Sequence, residues 1–458
     1  MTPQLLPGLL PNLLPNLLPS LLPLHGIGGR QDLPIPFGFA VAGAAIAIAL
    51  SFVILGLAWR EPRYRGDRSG KALPAPVTRT VDAPWFRWLV RLVGLAAFLY
   101  TGMALLFGVD RLTNPVFGIV YILVWVGLVP VSLLFGPVWR TLNPLRTLHL
   151  IACLVLRHDP ADGLLTLPKG VGLWPATAGV FAFTWLELVA PDRATLPVLQ
   201  GWLALYVVIM LFGAVLFGNR WFAAADPFEA YATLIARLSP FGRRTDGAIV
   251  VRRPLENLDG LKPRPGLVAL VAALLGSTAY DGFSNATVWI GWAQDSGYSM
   301  TLLGTVALLG FMLFVFLTYS GATLLAGRLS HSTRAALPGL FAHSLVPIVL
   351  GYVVAHYLTL FILEGQRTLI LVSDPLSNGW NVFGTGLLGL NTGITNHTTA
   401  IATTQVAAVV IGHVLGVVSA HDRAVALFPR RTALAGQLPL LVVMVGYTVG
   451  GLMLLFAS

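Results

Sequence analysis

Apolar residues run along the chain in blocks of about 20, broken by short polar and arginine-bearing stretches, the spacing needed by helices that cross roughly 30 Å of hydrocarbon. Ten such blocks lie near 37–59, 86–109, 116–138, 173–190, 196–218, 266–283, 300–325, 337–363, 400–420 and 434–457. They predict an all-α fold: a polytopic integral membrane helix bundle, with residues 36–458 as a single transmembrane domain and no soluble module of useful size. Residues 1–35 read as an extracytoplasmic segment of different character. LLPGLLPNLLPNLLPSLLP places proline at every fourth residue, which removes helix donors and clashes with the preceding turn each time. The segment lacks a basic n-region, and Leu22, Pro23 and Leu24 supply no small-residue cleavage site, so it does not read as a secretory signal.

Composition agrees with a lipid solvent, since 56% of the residues are hydrophobic and only 10% charged. The net charge of +10 would suggest nucleic acid in a soluble protein. In a membrane protein the placement of Lys and Arg matters more, and here they occupy alternate loops. Arg60, Arg63, Arg65, Arg68 and Lys71 follow the first block, and Arg140, Arg146 and Arg157 the third. Arg220, Arg237, Arg243, Arg244, Arg252 and Arg253 follow the fifth, Arg328 and Arg334 the seventh, and Arg423, Arg430 and Arg431 the ninth. The positive-inside rule puts these loops in the cytoplasm and both termini outside, with the lipid bilayer as the partner of the charge and no nucleic acid. Cys153 is the only cysteine, which excludes disulfides and thiolate metal clusters and leaves His and carboxylate as metal ligands.

Two stretches resemble each other. FGPVWRTLNPLRTLHLIACLVLR, from Phe135, and FGNRWFAAADPFEAYATLIARLS, from Phe217, share F-G-x-x-W, then Asn143-Pro144 or Asp226-Pro227. Asx-Pro is a helix start, the side chain capping free amides and proline occupying the first turn. Each is expected to open an amphipathic helix on the cytoplasmic surface. After each comes a block whose outer end carries an acid, Glu187 in FTWLELVAPD and Asp281 in LLGSTAYDGFSN. A hairpin plus surface helix thus reads as duplicated, an organisation common in transporter folds.

The eighth block, FAHSLVPIVLGYVVAHYLTLFILEGQ, carries His343, His356 and Glu364. At about 1.5 Å per residue, His343 falls near the cytoplasmic face, His356 about 20 Å further out and Glu364 about 12 Å beyond. The ninth block returns with His413 and His421-Asp422. Four ionisable groups are therefore expected at the outer side, Glu187, Asp281, Glu364 and His397, joined there by His25 and Asp32 of LHGIGGRQDLP. His356, deeper in the hydrocarbon, must face protein or a cavity and reads as functional; His343 and His421 read as interfacial anchors.

HGIGGRQDLPIP, LVPIVLGYVVAHYLTLFILEGQ, SDPLSNGWNVFGT and IGHVLGVVSAHDRAVALFP together resemble a family of bacterial polytopic membrane proteins labelled fenitrothion hydrolase, after a membrane-bound organophosphate-hydrolysing system. The resemblance covers nearly all of the chain from His25. It implies a multi-pass protein of the bacterial plasma (inner) membrane that hydrolyses an aryl phosphorothioate ester, a phosphoric triester hydrolase with an apolar small-molecule substrate and a second membrane subunit. Such chemistry needs an activated water and a cation to polarise the ester, and His25, Asp32, Asp281, Glu364 and His397 could hold a divalent ion such as zinc. Asp281, Glu364 and His397 are expected to converge beneath the His25–Asp32 segment, with His356 and Glu187 as proton-handling catalytic groups. No H-E-x-x-H and no G-x-S-x-G occurs to sharpen this reading. The alternative from another class is a transporter coupled to protons or metal ions, with histidine protonation as the moving part. Bis-histidine haem ligation ranks last, because His356 and His413 are offset by roughly 9 Å in depth.

Overall fold

The computed structural model describes residues 29–327, 330 and 332–457; His25 and the Leu-Pro repeat lie outside them. The bundle is built from α1 (Phe37–Ala58), α2 (Pro84–Phe107), α3 (Pro115–Phe135), α4 (Pro144–Val155), α5 (Trp174–Leu188), α6 (Leu196–Phe217), α7 (Pro227–Ala236), α8 (Leu267–Ser284), α9 (Met300–Ala326), α10 (Arg334–Leu371), α11 (Thr398–Leu427) and α12 (Ala435–Leu455). All but α4, α5 and α7 are long and apolar enough to cross a membrane, nine among the described residues. The fourth predicted span is α5, only 15 residues long, yet it joins the same two faces as its neighbours. Leu173 N, at its start, donates to Pro265 O beside the start of α8 (2.8 Å), and Arg193 O, beyond its end, accepts from Tyr121 in α3 (3.1 Å).

The arginine-bearing loops gather on one face, where several of their charges are consumed in ion pairs between loops. Arg237 pairs with Asp67 (3.1 Å), Arg423 with Asp259 (2.7 Å) and Arg430 with Glu61 (2.8 Å). Arg243 and Arg87 share Asp82, and hydrogen bonds from Arg243 foremost hold that partly exposed carboxyl below the usual carboxylate range. A three-stranded antiparallel sheet, unforeseen in the hydropathy pattern, ties the same loops together in the order β1 (Lys71–Ala72), β3 (Ile249–Val251), β2 (Phe241–Arg243). The strands are too short to register in a periodicity built for spans of 20 residues. His421 and Asp422 fasten α1 to this face: His421 Nε2 lies 2.9 Å from Trp59 O, while Asp422 accepts from Trp59 Nε1 (3.0 Å) and Arg63 N (2.6 Å).

The repeated F-G has a backbone cause. Gly136 (φ 77°, ψ −153°) and Gly218 (φ 64°, ψ −162°) end α3 and α6 in a region open essentially to glycine alone. Each donates its amide back four residues, to Ser132 O (3.0 Å) and Ala214 O (2.8 Å). The chain then turns through Trp139 or Trp221 into the Asx-Pro starts of α4 and α7. Asn143 Oδ1 caps the amides of Leu145 and Arg146, and Asp226 Oδ1 that of Phe228. Past this point the copies differ from the expectation of two surface helices. α4 does expose Leu154 and Val155 at its end, but nine of the ten residues of α7 are buried. α7 is packed inside the bundle because Tyr231 and Phe228 fill an aromatic cluster with Trp125 of α3 and Phe183 of α5, with centroids 4.8–5.2 Å apart.

α10 and α11 approach closely along glycines. A β-carbon on Gly351 would stand 2.4 Å from Ala408 O, and one on Gly412 2.6 Å from Pro347 O. Such small-residue crossings bring backbones together where lipid offers no hydrophobic drive.

Candidate functional site

α8 is buried along most of its length and carries Asp281 three residues before its end. α10 passes beside it and contributes His356 and Tyr357 from consecutive positions. His356 Nε2 lies 2.9 Å from Asp281 Oδ2, and the Tyr357 hydroxyl donates to the same oxygen at 2.8 Å. Asp281 is 3% exposed and His356 6%, so the pair sits inside protein at a depth where an isolated charge would be strongly unfavourable. Two aromatic rings neighbour the imidazole. Tyr352, one turn earlier, stacks parallel to it at 6.4 Å, and Tyr357 meets it edge-on at 4.8 Å. The Tyr352 hydroxyl bonds Gly451 O of α12 (3.2 Å), which ties the stack to a third helix. Ser284 Oγ and Asn285 Nδ2 both return to the carbonyl of Asp281, closing α8 one turn beyond the carboxylate.

Glu187, near the end of α5, lies within electrostatic reach of Asp281 and also of Tyr121, Tyr231 and Tyr357. Its Oε2 is buried and accepts no hydrogen bond among the described residues. Three of the groups singled out in the sequence, two acids and a histidine from separate helices, thus form one polar cluster together with neighbouring tyrosines. Tyr357 and Tyr231 were missed because tyrosine in an aromatic-rich membrane helix carries no distinguishing signal; only the position of Tyr357 beside His356 could have drawn notice.

The remaining candidates lie apart. Glu364, half-buried two turns beyond His356, pairs with Arg367 of its own helix (3.2 Å). His397 is exposed at the start of α11. Asp32 accepts the amide of Gly29 (2.6 Å) in a short helical turn, and the neighbouring Arg30 bonds Phe456 O (2.7 Å). His25 lies outside the described residues. Among those residues no group of three or more His, Cys, Asp or Glu is placed to hold a metal ion. Asp281 is instead engaged by His356, whose expected part was a proton relay or a contact to a metal ligand from below the site. His343, read from the sequence as an interfacial anchor, is buried and bound by backbone, with Nδ1 3.1 Å from Leu340 O and Nε2 3.3 Å from Ser419 O. His413 Nδ1 meets Val409 O of its own helix (2.9 Å).

Chemically, the cluster can hold, shift and release a proton. A carboxylate gripped by imidazole and phenol has two donors that can each give up or regain a hydrogen bond, and a second carboxyl stands near enough to feel its charge. Scans of the chain against family models, curated proteins and solved structures gave no match. The resemblance to fenitrothion hydrolases therefore rests on the quoted strings alone.

Proposed function

We propose that this integral membrane protein is a proton-coupled transporter in which the Asp281–His356 pair takes up and releases the coupling proton. The observation that carries the reading is a carboxylate–imidazole pair enclosed among membrane helices, since ionisable residues so placed are unfavourable unless they relay protons or bind what is carried. The duplicated F-G-x-x-W…Asx-Pro units beside it supply the paired scaffold on which transporters commonly build a central site.

The test is proton flux in proteoliposomes containing a pH-sensitive dye, driven by an inside-negative potential and challenged in turn with Na⁺, Mg²⁺, Mn²⁺ and Zn²⁺. Wild-type protein is expected to acidify the lumen with at least one of these ions. Asp281→Asn, which keeps the shape and removes the charge, should lower that rate by at least about tenfold. Wild-type flux no greater than that of empty liposomes with every ion would overturn the reading.

The orientation belongs to the same proposal. The arginine-rich face is cytoplasmic and both chain ends are outside, so an Asp246→Cys probe in a Cys153→Ala background should react with an impermeant maleimide in inside-out vesicles and resist it in intact cells. Labelling from the exterior would reverse the orientation.

A second reading is hydrolysis of an apolar phosphorothioate ester, for which His356 and Tyr357 converging on one carboxylate oxygen would be a serviceable acid–base set. Release of the phenol from an aryl phosphorothioate by purified protein with and without added Zn²⁺ tests it directly.

A further inference from the structure

The two repeat units meet each other through equivalent residues. Asn143 and Asp226, the matching helix starts, are 83 positions apart and bond each other, Nδ2 to Oδ2 at 2.6 Å. Arg146 and Glu229, each three residues further on, form a two-pronged pair at 2.6 and 2.9 Å. The correspondence continues into α5 and α8. Gly172 and Gly266, both with positive φ (47° and 80°), precede Leu173 and Leu267, and they abut: a β-carbon on Gly172 would stand 2.2 Å from Pro265 O, and one on Gly266 2.6 Å from Trp174 N. Twelve residues after each glycine comes a buried threonine, Thr184 or Thr278, bonded to the carbonyl four residues back (2.9 and 3.0 Å). Fifteen residues after each glycine comes the acid, Glu187 or Asp281.

When residues meet their own counterparts, the units face each other about a local two-fold axis. Both units run in the same sense between the two faces, so this axis stands along the membrane normal. Helices that start side by side and carry an acid at the same offset bring the two carboxyls to one level.

α10 lies outside the duplicated units and breaks the equivalence. It delivers His356 and Tyr357 to Asp281, whereas Glu187 keeps a buried oxygen that accepts no hydrogen bond among the described residues. Facing Glu187 from the surrounding elements are Asp281 of α8, Tyr121 of α3, Tyr231 of α7, Tyr357 of α10 and Arg193 beyond the end of α5. A buried carboxylate and a second carboxyl with an enclosed, unpartnered oxygen do not both stay ionised at close range without a cation between them, and the one lacking donors is the one that takes the proton.

We infer that Glu187 and Asp281 are the repeat-equivalent halves of a single proton site, in which Glu187 carries the proton while Asp281 remains a carboxylate against His356 and Tyr357. This inference rests on the proton-coupled reading of the Asp281–His356 pair. Because the buried Glu187 oxygen accepts no hydrogen bond among the described residues, the step begins with a side-chain movement that brings it to Asp281 or to the Tyr357 hydroxyl. The O–H bond of Glu187 then breaks as an O–H bond to Asp281 forms, directly or through that hydroxyl, which accepts one proton and gives up another. The negative charge passes the opposite way, to Glu187, which feels the positive charge of Arg193. No other reactant is consumed.

Infrared difference spectroscopy of the lipid-reconstituted protein at neutral pH reads the protonated carboxyl directly. Glu187→Gln is expected to remove one protonated-carboxyl C=O band, Asp281→Asn to leave that band in place, and Glu187→Asp to shift its frequency. The Glu187→Asp variant keeps the test decisive if the glutamine variant does not fold. A spectrum unchanged by both Glu187 variants, or a band that vanishes with Asp281→Asn instead, would overturn the assignment. Proton flux measured on the same samples separates the two readings. If flux depends on Asp281 while no band follows Glu187, this inference alone falls. If wild-type flux never exceeds that of empty liposomes, the transport reading falls first.

Discussion

Replacing Arg146 by leucine is expected to destabilise the fold by about 3–5 kcal/mol, the effect of leaving a buried carboxylate without its partner. Arg146 and Glu229 retain only 10% and 5% of their side-chain exposure and are joined by two hydrogen bonds. The guanidinium also lies over the Phe222 ring, 5.0 Å from its centroid. Removing the cation strands Glu229 on α7, the most enclosed of the short helices, where water cannot replace the lost bonds. The pair itself need not be a large net stabiliser, because desolvating two charges offsets most of their attraction. The double variant Arg146→Leu/Glu229→Leu should therefore recover to within about 1 kcal/mol of wild type. Thermal unfolding in detergent, followed for both single variants and the double, completes the cycle. Strictly additive losses would show that the two side chains act independently and would remove one of the contacts that define the axis between the repeats.

Much of this architecture is legible in the chain because membrane helices obey few rules and obey them openly. Length and apolarity place the spans, and the alternation of arginine loops foretells that they gather on one face, as the Arg237–Asp67 and Arg423–Asp259 pairs attest. F-G-x-x-W with Asx-Pro announces the duplication, because a Gly-only backbone and a capped helix start both leave fixed residue types behind. The sequence does not reveal which equivalent residues touch, since a repeat has no written axis. Depth misleads for a different reason. Counting residues treats every helix as starting at one level and standing upright, but α8 has 18 residues, about 27 Å, whereas the helical run of α10 covers 38. An acid close to the end of the short helix therefore lies beside a histidine midway along the long one. Asp281 accordingly meets His356 and not Glu364, which lies two turns further along α10 and turns to Arg367.

That difference in level yields the prediction that separates a proton site from an outer metal site. His356→Leu should abolish function, lowering proton flux by about 10²-fold or more, because it removes the group that both balances and exchanges with Asp281. Some of that loss could come from instability, since the variant leaves a buried carboxylate held by one fewer donor. The exchanged variant Asp281→His/His356→Asp answers this: it preserves the pair, reverses its direction, and should regain part of the flux that either single change destroys. Glu364→Gln is the counterpart measurement. Its carboxylate is 25% exposed and bonded to Arg367 at the helix surface, where an ion pair contributes about 1 kcal/mol at most, so on the proton reading flux and stability should stay close to wild type. If Asp281, Glu364 and His397 instead share a divalent ion in the working protein, the same substitution removes a ligand, and bound metal and activity fall together. Elemental analysis and flux measured on one preparation of Glu364→Gln decide between them: a joint loss establishes the metal site, and intact flux beside a silent His356→Leu establishes the buried pair as the seat of the chemistry.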